Sequence, residues 1–213
     1  MHAATLSKTD VVQVYSRIAF FYDAWGHLTE SRARNRALAL ANIQDGESVL
    51  EVAVGTGLAF RELVKANPHG TTHGIDLTEA MLDKARHKVR QSSARYELSV
   101  GDAYDLRYDA ARFDVLVNNY MFDLLPANDF EKVLTEFKRV LKPNGRLILV
   151  NMTTGERLHQ RLYEAIYQVN PRWIGGCRGV RLSDTLQQVG FRDISREMIS
   201  QLGFPSEVLR AAV

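Results

Sequence analysis

The sequence predicts an α/β fold in which a mostly parallel sheet is flanked by helices. From residue 47 onward, short strand-like runs alternate with helical patterns, as they do in parallel sheets. The fourth run is wholly apolar from Val115 to Val117, which is typical of a strand buried on both faces. Residues 130–141 place apolar side chains at i, i+3, i+4 and i+7, which predicts an amphipathic helix beside that strand.

The elements follow one another without a repeat or a linker. Strands are predicted at residues 48–54, 72–77, 95–100, 113–117, 146–152 and 191–200, with a seventh at 207–213. Helices are predicted at 60–67, from Thr78 to Val89, and at 130–141, 158–169 and 182–189. Residues 142–145 form a predicted turn between helix and strand, and Thr78 is expected to cap its helix.

Two further helical patterns precede the first strand, at residues 11–25 and 30–42, with Thr29 or Ser31 as the expected cap of the second. We therefore predict one domain over residues 1–213, with an N-terminal helical cover (1–46) and a sheet region (47–213). The aromatic stripe of the first helix fits core packing or an apolar lid, and its contact with a membrane stays open. Arg32, Arg34 and Arg36 are expected on a solvated helix face.

Composition excludes several classes of protein. The 46% apolar and 24% charged residues match ordinary globular usage, and the net charge of +2 argues against a nucleic-acid partner. The single cysteine cannot form an internal disulfide, and no apolar run approaches the length of a membrane span. His69 and His73 flank Gly70 instead of sharing a helix, so no metal site is expected. The chain is expected to be cytoplasmic.

The strongest motif is a strand that runs into a glycine turn. Gly55 and Gly57 follow the first strand and would let a ligand approach backbone N–H groups at a helix start. Asp76 ends the next strand, where a carboxylate commonly meets ribose hydroxyls. A dinucleotide fingerprint would need a third glycine where Phe60 stands. Glu51, inside the first strand, suits a ligand with a cationic amino-acid end.

Together with Gly101-Asp102-Ala103 and the run at 139–145, these residues resemble class I S-adenosylmethionine-dependent methyltransferases. Residues 15–23 and 74–82 are most similar to ubiquinone/menaquinone biosynthesis methyltransferases and phospholipid N-methyltransferases. The resemblance implies a Rossmann-like sheet of seven strands with the last antiparallel, and S-adenosylmethionine as cofactor. The implied cofactor site consists of Tyr15, Glu51, Ala53, Gly55, Gly57, Asp76, Leu77, Met81, Asp102, Ala103 and Asn118.

The resemblance also implies a role for each part of that site. Glu51 and the two glycines would border the methionine part of the cofactor, and Asp76 would hold the ribose. Leu77 and Met81 would flank the adenine. Asp102 would accept a hydrogen bond from the exocyclic amine of adenine, Ala103 would offer its backbone N–H, and Asn118 would lie beneath the sulfonium. One departure is Ala53, where many members have glycine.

The acceptor pocket is expected beyond the carboxyl ends of the strands. Tyr22 and Tyr120 are the candidate catalytic residues, and Tyr15, Asn119 and Asn151 are further candidates for this pocket. We expect a small or lipid-like acceptor, either a quinone type or a phospholipid amine, and no motif identifies a general base. A nucleic-acid base methyltransferase and a non-catalytic cofactor-binding module are the alternatives, and the oligomeric state stays open.

Overall fold

The computed structural model describes residues 28–153 and 178–213. Seven strands form one sheet in the order β3-β2-β1-β4-β5-β7-β6. Neighbours are parallel from β3 through β5, and β7 runs antiparallel to both β5 and β6. The strands are β1 (Ser48–Val52), β2 (Thr71–Asp76), β3 (Arg95–Val100), β4 (Phe113–Asn119), β5 (Leu141–Met152), β6 (Arg192–Gln201) and β7 (Phe204–Ala212). The Rossmann-like, mostly parallel fold that the sequence predicts is confirmed.

Helices cover both faces of this sheet. The described helices are α1 (Ser31–Ala41), α2 (Leu58–Ala66), α3 (Glu79–Val89), α4 (Phe130–Val140) and α5 (Ser183–Val189). On one face α1 packs its alanines against apolar residues of β1, β4, β5 and β7. On the other face α4 and α5 enclose a larger core with Leu50, Leu116 and Leu149. No helix among the described residues is long and apolar enough to cross a membrane.

The strand order brings the carboxyl ends of β1, β2 and β4 side by side. β1 pairs with β2 on one side and β4 on the other, so Glu51 lies opposite Gly74 and Val117. In open α/β sheets, the crevice where the strand order reverses is the usual ligand site. Here that crevice lies between the ends of β1 and β4, directly beside the glycine turn.

Several local expectations need correction. The predicted turn at 142–145 lies inside β5, where the register jumps from Phe113↔Leu141 to Val115↔Arg146 and the intervening residues bulge out. Asn144, with φ of 64°, makes the bend. Thr78 occupies the predicted capping position without a side-chain cap, and Glu30, not Thr29 or Ser31, precedes α1, again without a side-chain cap. The seventh strand begins earlier than expected, at Phe204.

Some expectations fall on residues that the structure does not describe. Tyr15, Tyr22 and the helix predicted at 11–25 lie outside the described residues, as does the helix predicted at 158–169. Their roles, and the division into residues 1–46 and 47–213, stay predictions.

Candidate functional site

The turn after β1 forces three residues into left-handed backbone conformations. Ala53, Gly55 and Gly57 have φ values of 59°, 56° and 84°. A Cβ on Gly55 would meet no atom within 4 Å, so the backbone there borders open space. A Cβ on Gly57 would lie 2.7 Å from Ala85, so α2 and α3 can approach only because this residue is glycine. The turn therefore leaves room for a ligand on one side and packs two helices on the other.

Asp76 holds this turn against the next strand. Its Oδ2 accepts a hydrogen bond from the Gly55 N–H at 2.8 Å, and its Oδ1 accepts one from the Thr78 N–H at 2.8 Å. Burial raises the pKa of Asp76, and the hydrogen bonds from Gly55 and Thr78 oppose that rise. The Thr78 side chain also hydrogen-bonds this carboxylate. Because an ionised carboxylate has about four acceptor sites, Asp76 can hold the turn and still accept a hydrogen bond from a ligand.

The residues expected around the adenine come from two segments, one directly after Asp76 and one at the turn after β3. Leu77 follows β2 and is 39% exposed, whereas Met81 is buried in α3. The Asp102 Oδ1 accepts a hydrogen bond from the Tyr104 N–H at 3.0 Å. Gly101 donates its N–H to the Asp76 carbonyl at 3.1 Å, which ties the Asp102 turn to the end of β2. Ala103 is buried against the core.

A pocket opens between the glycine turn, the start of α1 and the end of β4. The empty space within it measures about 420 Å³, and this figure includes space that is open to solvent. It is lined by Glu30, Arg34, Glu51, Ala53, Val54, Gly55, Thr56, Leu58, Ala59, Asn119 and Tyr120. Three residues of the predicted cofactor site, Glu51, Ala53 and Gly55, thus meet two residues predicted for the acceptor, Asn119 and Tyr120.

Glu51 is buried at the base of this pocket with one oxygen unpartnered. Its Oε1 accepts a hydrogen bond from Asn119 Nδ2 at 3.2 Å, and its Oε2 has no partner. Burial raises the pKa of Glu51 to about 8, and the negative charge of Asp76 adds to that rise. The hydrogen bond from Asn119 and the positive charge of Arg34 lower the pKa of Glu51 and so oppose it. A buried carboxylate without a full set of partners is costly. A cationic ligand group would complete its hydrogen bonding and restore its charge.

Glu30 and Arg34 bring two further charged groups into the pocket, and neither is among the site residues predicted from the sequence. Arg34, predicted on a solvated face, is half-buried, lines the pocket, and lowers the pKa of both Glu30 and Glu51. The signal was present in the spacing: Glu30 and Arg34 continue the stripe of Ala37 and Ala41, which is buried against the sheet.

Tyr120 contributes its ring to the pocket, while its hydroxyl is bound elsewhere. The hydroxyl lies 2.7 Å from the Ser206 Oγ of β7. Burial, together with Glu30, raises the pKa of Tyr120 well above its ordinary value, so the side chain stays a neutral phenol. The catalytic role of Tyr120 stays a prediction, and its protonated hydroxyl suits it to donating a hydrogen bond more than to removing a proton.

Two asparagines of the predicted site, Asn118 and Asn151, are not among the residues that line this pocket. The Asn118 Nδ2 donates to the Val52 carbonyl at 2.8 Å, and this residue is not among those that line the pocket. Asn151 shares the opposite face of the sheet with Leu149, because alternate residues of a strand point the same way. Asn119 is therefore the asparagine that contacts Glu51, and the place of Asn118 beneath the sulfonium stays a prediction.

Comparison with known proteins identifies the class of this fold and site. A family model described as a methyltransferase domain matches residues 49–145. The chain is 34% identical to a phosphatidylethanolamine N-methyltransferase of Cereibacter sphaeroides, over 66% of this chain and 67% of that protein. It is 28% identical to a demethylmenaquinone methyltransferase of Lactobacillus johnsonii, over 95% of this chain and 87% of that protein.

A solved structure shows the same fold. The phosphoethanolamine N-methyltransferase 2 of Haemonchus contortus, in complex with S-adenosylhomocysteine, superposes with a TM-score of 0.67 at 19% identity. The match covers 84% of this chain and 52% of that one. The chain belongs to the class I S-adenosylmethionine-dependent methyltransferases. It is an enzyme that uses S-adenosylmethionine, and the unpartnered Glu51 oxygen and the open side of Gly55 fit that cofactor.

Glu51→Gln should stabilise the free protein at alkaline pH and weaken cofactor binding. A carboxyl with a raised pKa binds its proton more tightly when folded, so wild-type stability falls as pH rises from about 4.5 to about 8. Removing that charge should raise the free energy of unfolding at pH 8 by roughly 1–2 kcal/mol. Urea denaturation at pH 5 and pH 8 measures the effect, and calorimetry should show weaker S-adenosylhomocysteine binding. Equal stability of variant and wild type at pH 8 would contradict this reading of Glu51.

Ala53→Gly should stabilise the protein. The left-handed conformation costs an L-residue about 1–2 kcal/mol, while glycine costs about 0.4–1 kcal/mol through the unfolded chain. The expected net gain is therefore about 0.5 kcal/mol in the free energy of unfolding. Ala37→Gly, within helix α1, is the matched control and should destabilise by about 1 kcal/mol or more. A loss of stability in both variants would show that Ala53 is unstrained.

Proposed function

We propose that this enzyme transfers the methyl group of S-adenosylmethionine to the amine of a small or lipid-like acceptor. The observation that carries the proposal is the placement of two buried carboxyl groups, Glu30 and Glu51, in one pocket beside the glycine turn. Each can hold a cationic nitrogen, and two such nitrogens meet in this reaction: the amino group of the cofactor and the amine of the acceptor.

The cofactor is assigned to the glycine-turn side of the pocket. Glu51 Oε2 accepts a hydrogen bond from the cofactor's amino group, and Asp76 accepts from the ribose hydroxyls. Leu77 and Met81 border the adenine, and Asp102 receives its exocyclic amine. S-adenosylmethionine supplies a methyl group that is already activated on a sulfonium. The chain's task is alignment of donor and acceptor and exclusion of water.

The acceptor is assigned to the α1 side of the pocket, next to Glu30. Arg34 is the basic side chain among the lining residues, so the pocket's charged groups are mainly acidic. The apolar side chains of Leu58 and Ala59 and the ring of Tyr120 supply walls for the uncharged part of the acceptor. The similarity to a phosphatidylethanolamine N-methyltransferase supports an amine acceptor on a lipid.

A quinone-type acceptor is the second candidate. It is favoured by the demethylmenaquinone methyltransferase relative, which the chain matches over 87% of that protein's length. Leu58 and Tyr120 both line the pocket and offer apolar surface to a flat ring. A reduced quinone needs loss of a phenolic proton before its carbon attacks the methyl group. A carboxylate at Glu30 suits that step as well. Nucleic acid remains disfavoured by the net charge of +2.

Purified enzyme should convert S-adenosylmethionine to S-adenosylhomocysteine when phosphatidylethanolamine in detergent micelles is added. Mass spectrometry of the lipid should show a gain of one methyl group. Phosphatidylglycerol micelles are the matched control, because that lipid lacks an amine, and reduced demethylmenaquinone tests the second candidate. Turnover with reduced demethylmenaquinone but not with phosphatidylethanolamine would contradict the amine acceptor and favour the quinone-type acceptor. Cofactor binding without turnover of either acceptor would contradict both.

A further inference from the structure

We propose that Glu30 is the proton acceptor of the methyl-transfer reaction. The inference rests on the proposed function and adds to it the residue that converts the acceptor into a nucleophile. No sequence motif marks a general base, and an ammonium or a phenol cannot attack a methyl group until its proton has left. The reaction therefore needs a group within the acceptor side of the pocket that can take this proton.

The position of Glu30 meets the geometric requirement. Glu30 directly precedes α1 and is only 7% exposed, yet its side chain makes no capping hydrogen bond to that helix. It lines the same pocket as Ala53 and Gly55 of the glycine turn. A buried carboxyl group at this helix start is available to a ligand in the pocket, because the helix does not use it.

Burial and neighbouring charged groups set the pKa of Glu30. Burial and the nearby Asp123 raise the pKa of Glu30 to about 7, and Arg34 opposes that rise. Glu51 and Tyr120 line the pocket with it. A carboxyl group with this pKa is partly ionised at neutral pH and holds a captured proton far better than an exposed glutamate does. These are the properties that favour a base operating near pH 7.

The other acidic groups of the pocket are less suited to this role. Glu51 lies at the base, bound to Asn119, where the proposed cofactor site requires it as a carboxylate. Tyr120 stays protonated, and its hydroxyl is turned to Ser206. Among the described residues, Glu30 is therefore the carboxyl group of the pocket that neither the proposed cofactor site nor a side-chain hydrogen bond occupies.

The step balances for an amine acceptor. The ammonium gives one proton to the Glu30 carboxylate, which leaves a lone pair on nitrogen. That lone pair forms the bond to the methyl carbon while the carbon–sulfur bond breaks, and the electron pair of that bond stays on sulfur. The products are S-adenosylhomocysteine and the methylated ammonium, and Glu30 passes its proton to solvent before the next turnover.

Glu30→Gln tests this role, because it keeps the side chain's size and removes its basicity. With phosphatidylethanolamine micelles as acceptor, kcat should fall about 100-fold or more at pH 7. The variant's rate should then climb with pH as free amine accumulates, whereas the wild-type rate should level off above about pH 7. Glu131→Gln, an exposed carboxyl on α4, is the matched control and should keep the wild-type rate and pH profile.

Two readouts without turnover separate this role from a structural one. Glu30→Gln should bind S-adenosylhomocysteine as wild type does, and its melting temperature at pH 8 should equal or exceed that of wild type. A wild-type rate and pH profile in Glu30→Gln would overturn the inference and leave the proposed function standing. A parallel loss of S-adenosylhomocysteine affinity and kcat would overturn it in favour of a structural role. Absence of wild-type turnover on both phosphatidylethanolamine and reduced demethylmenaquinone would overturn the proposed function, and the inference with it.

Discussion

The site depends on the carboxylate of Asp76, which accepts hydrogen bonds from the backbone of Gly55 and of Thr78. Through these two bonds, one side chain at the end of β2 fixes both the glycine turn and the start of α3. The turn can then present its open backbone face to a ligand while Gly57 packs against Ala85 on the other side. Since hydrogen bonds to a carboxylate are stronger than neutral ones, the turn is held in shape before any ligand arrives.

Around this fixed turn, the pocket carries charges that weaken the free protein. Glu51 and Glu30 are both buried with raised pKa values, so the folded chain is less stable when they ionise. A core of apolar side chains would avoid this cost. Under the proposed function, cationic ligand groups would favour the ionised form of both carboxyl groups and give Glu51 Oε2 a hydrogen-bond partner. The two buried carboxyl groups thus lower the free energy of unfolding at the place where cofactor and acceptor are expected to meet.

The architecture and the glycine turn could be predicted from the sequence because both follow local rules. Strand and helix periods, and the interval between Gly57 and Asp76, are visible along the chain. The pocket's other wall could be predicted only in part, because the spacing puts Glu30 and Arg34 on the face of the buried alanines but does not show that this end of the helix borders a pocket. Glu30 and Arg34 resemble surface residues of a polar helix, and only the packing of α1 onto the sheet turns them inward. Similarly, the neighbours Asn118 and Asn119 have different partners, the Val52 carbonyl and Glu51, because successive residues of a strand face opposite sides of the sheet.

The most direct test of the account is a crystal structure of the enzyme with S-adenosylhomocysteine bound. The account predicts that the amino group of the ligand donates a hydrogen bond to Glu51 Oε2. It also predicts that Asp76 contacts the ribose while keeping its bonds to Gly55 and Thr78, with the ligand's sulfur facing the space beside Glu30. A ligand whose amino-acid end lies away from Glu51, or whose ribose leaves Asp76 untouched, would contradict the assignment of this pocket.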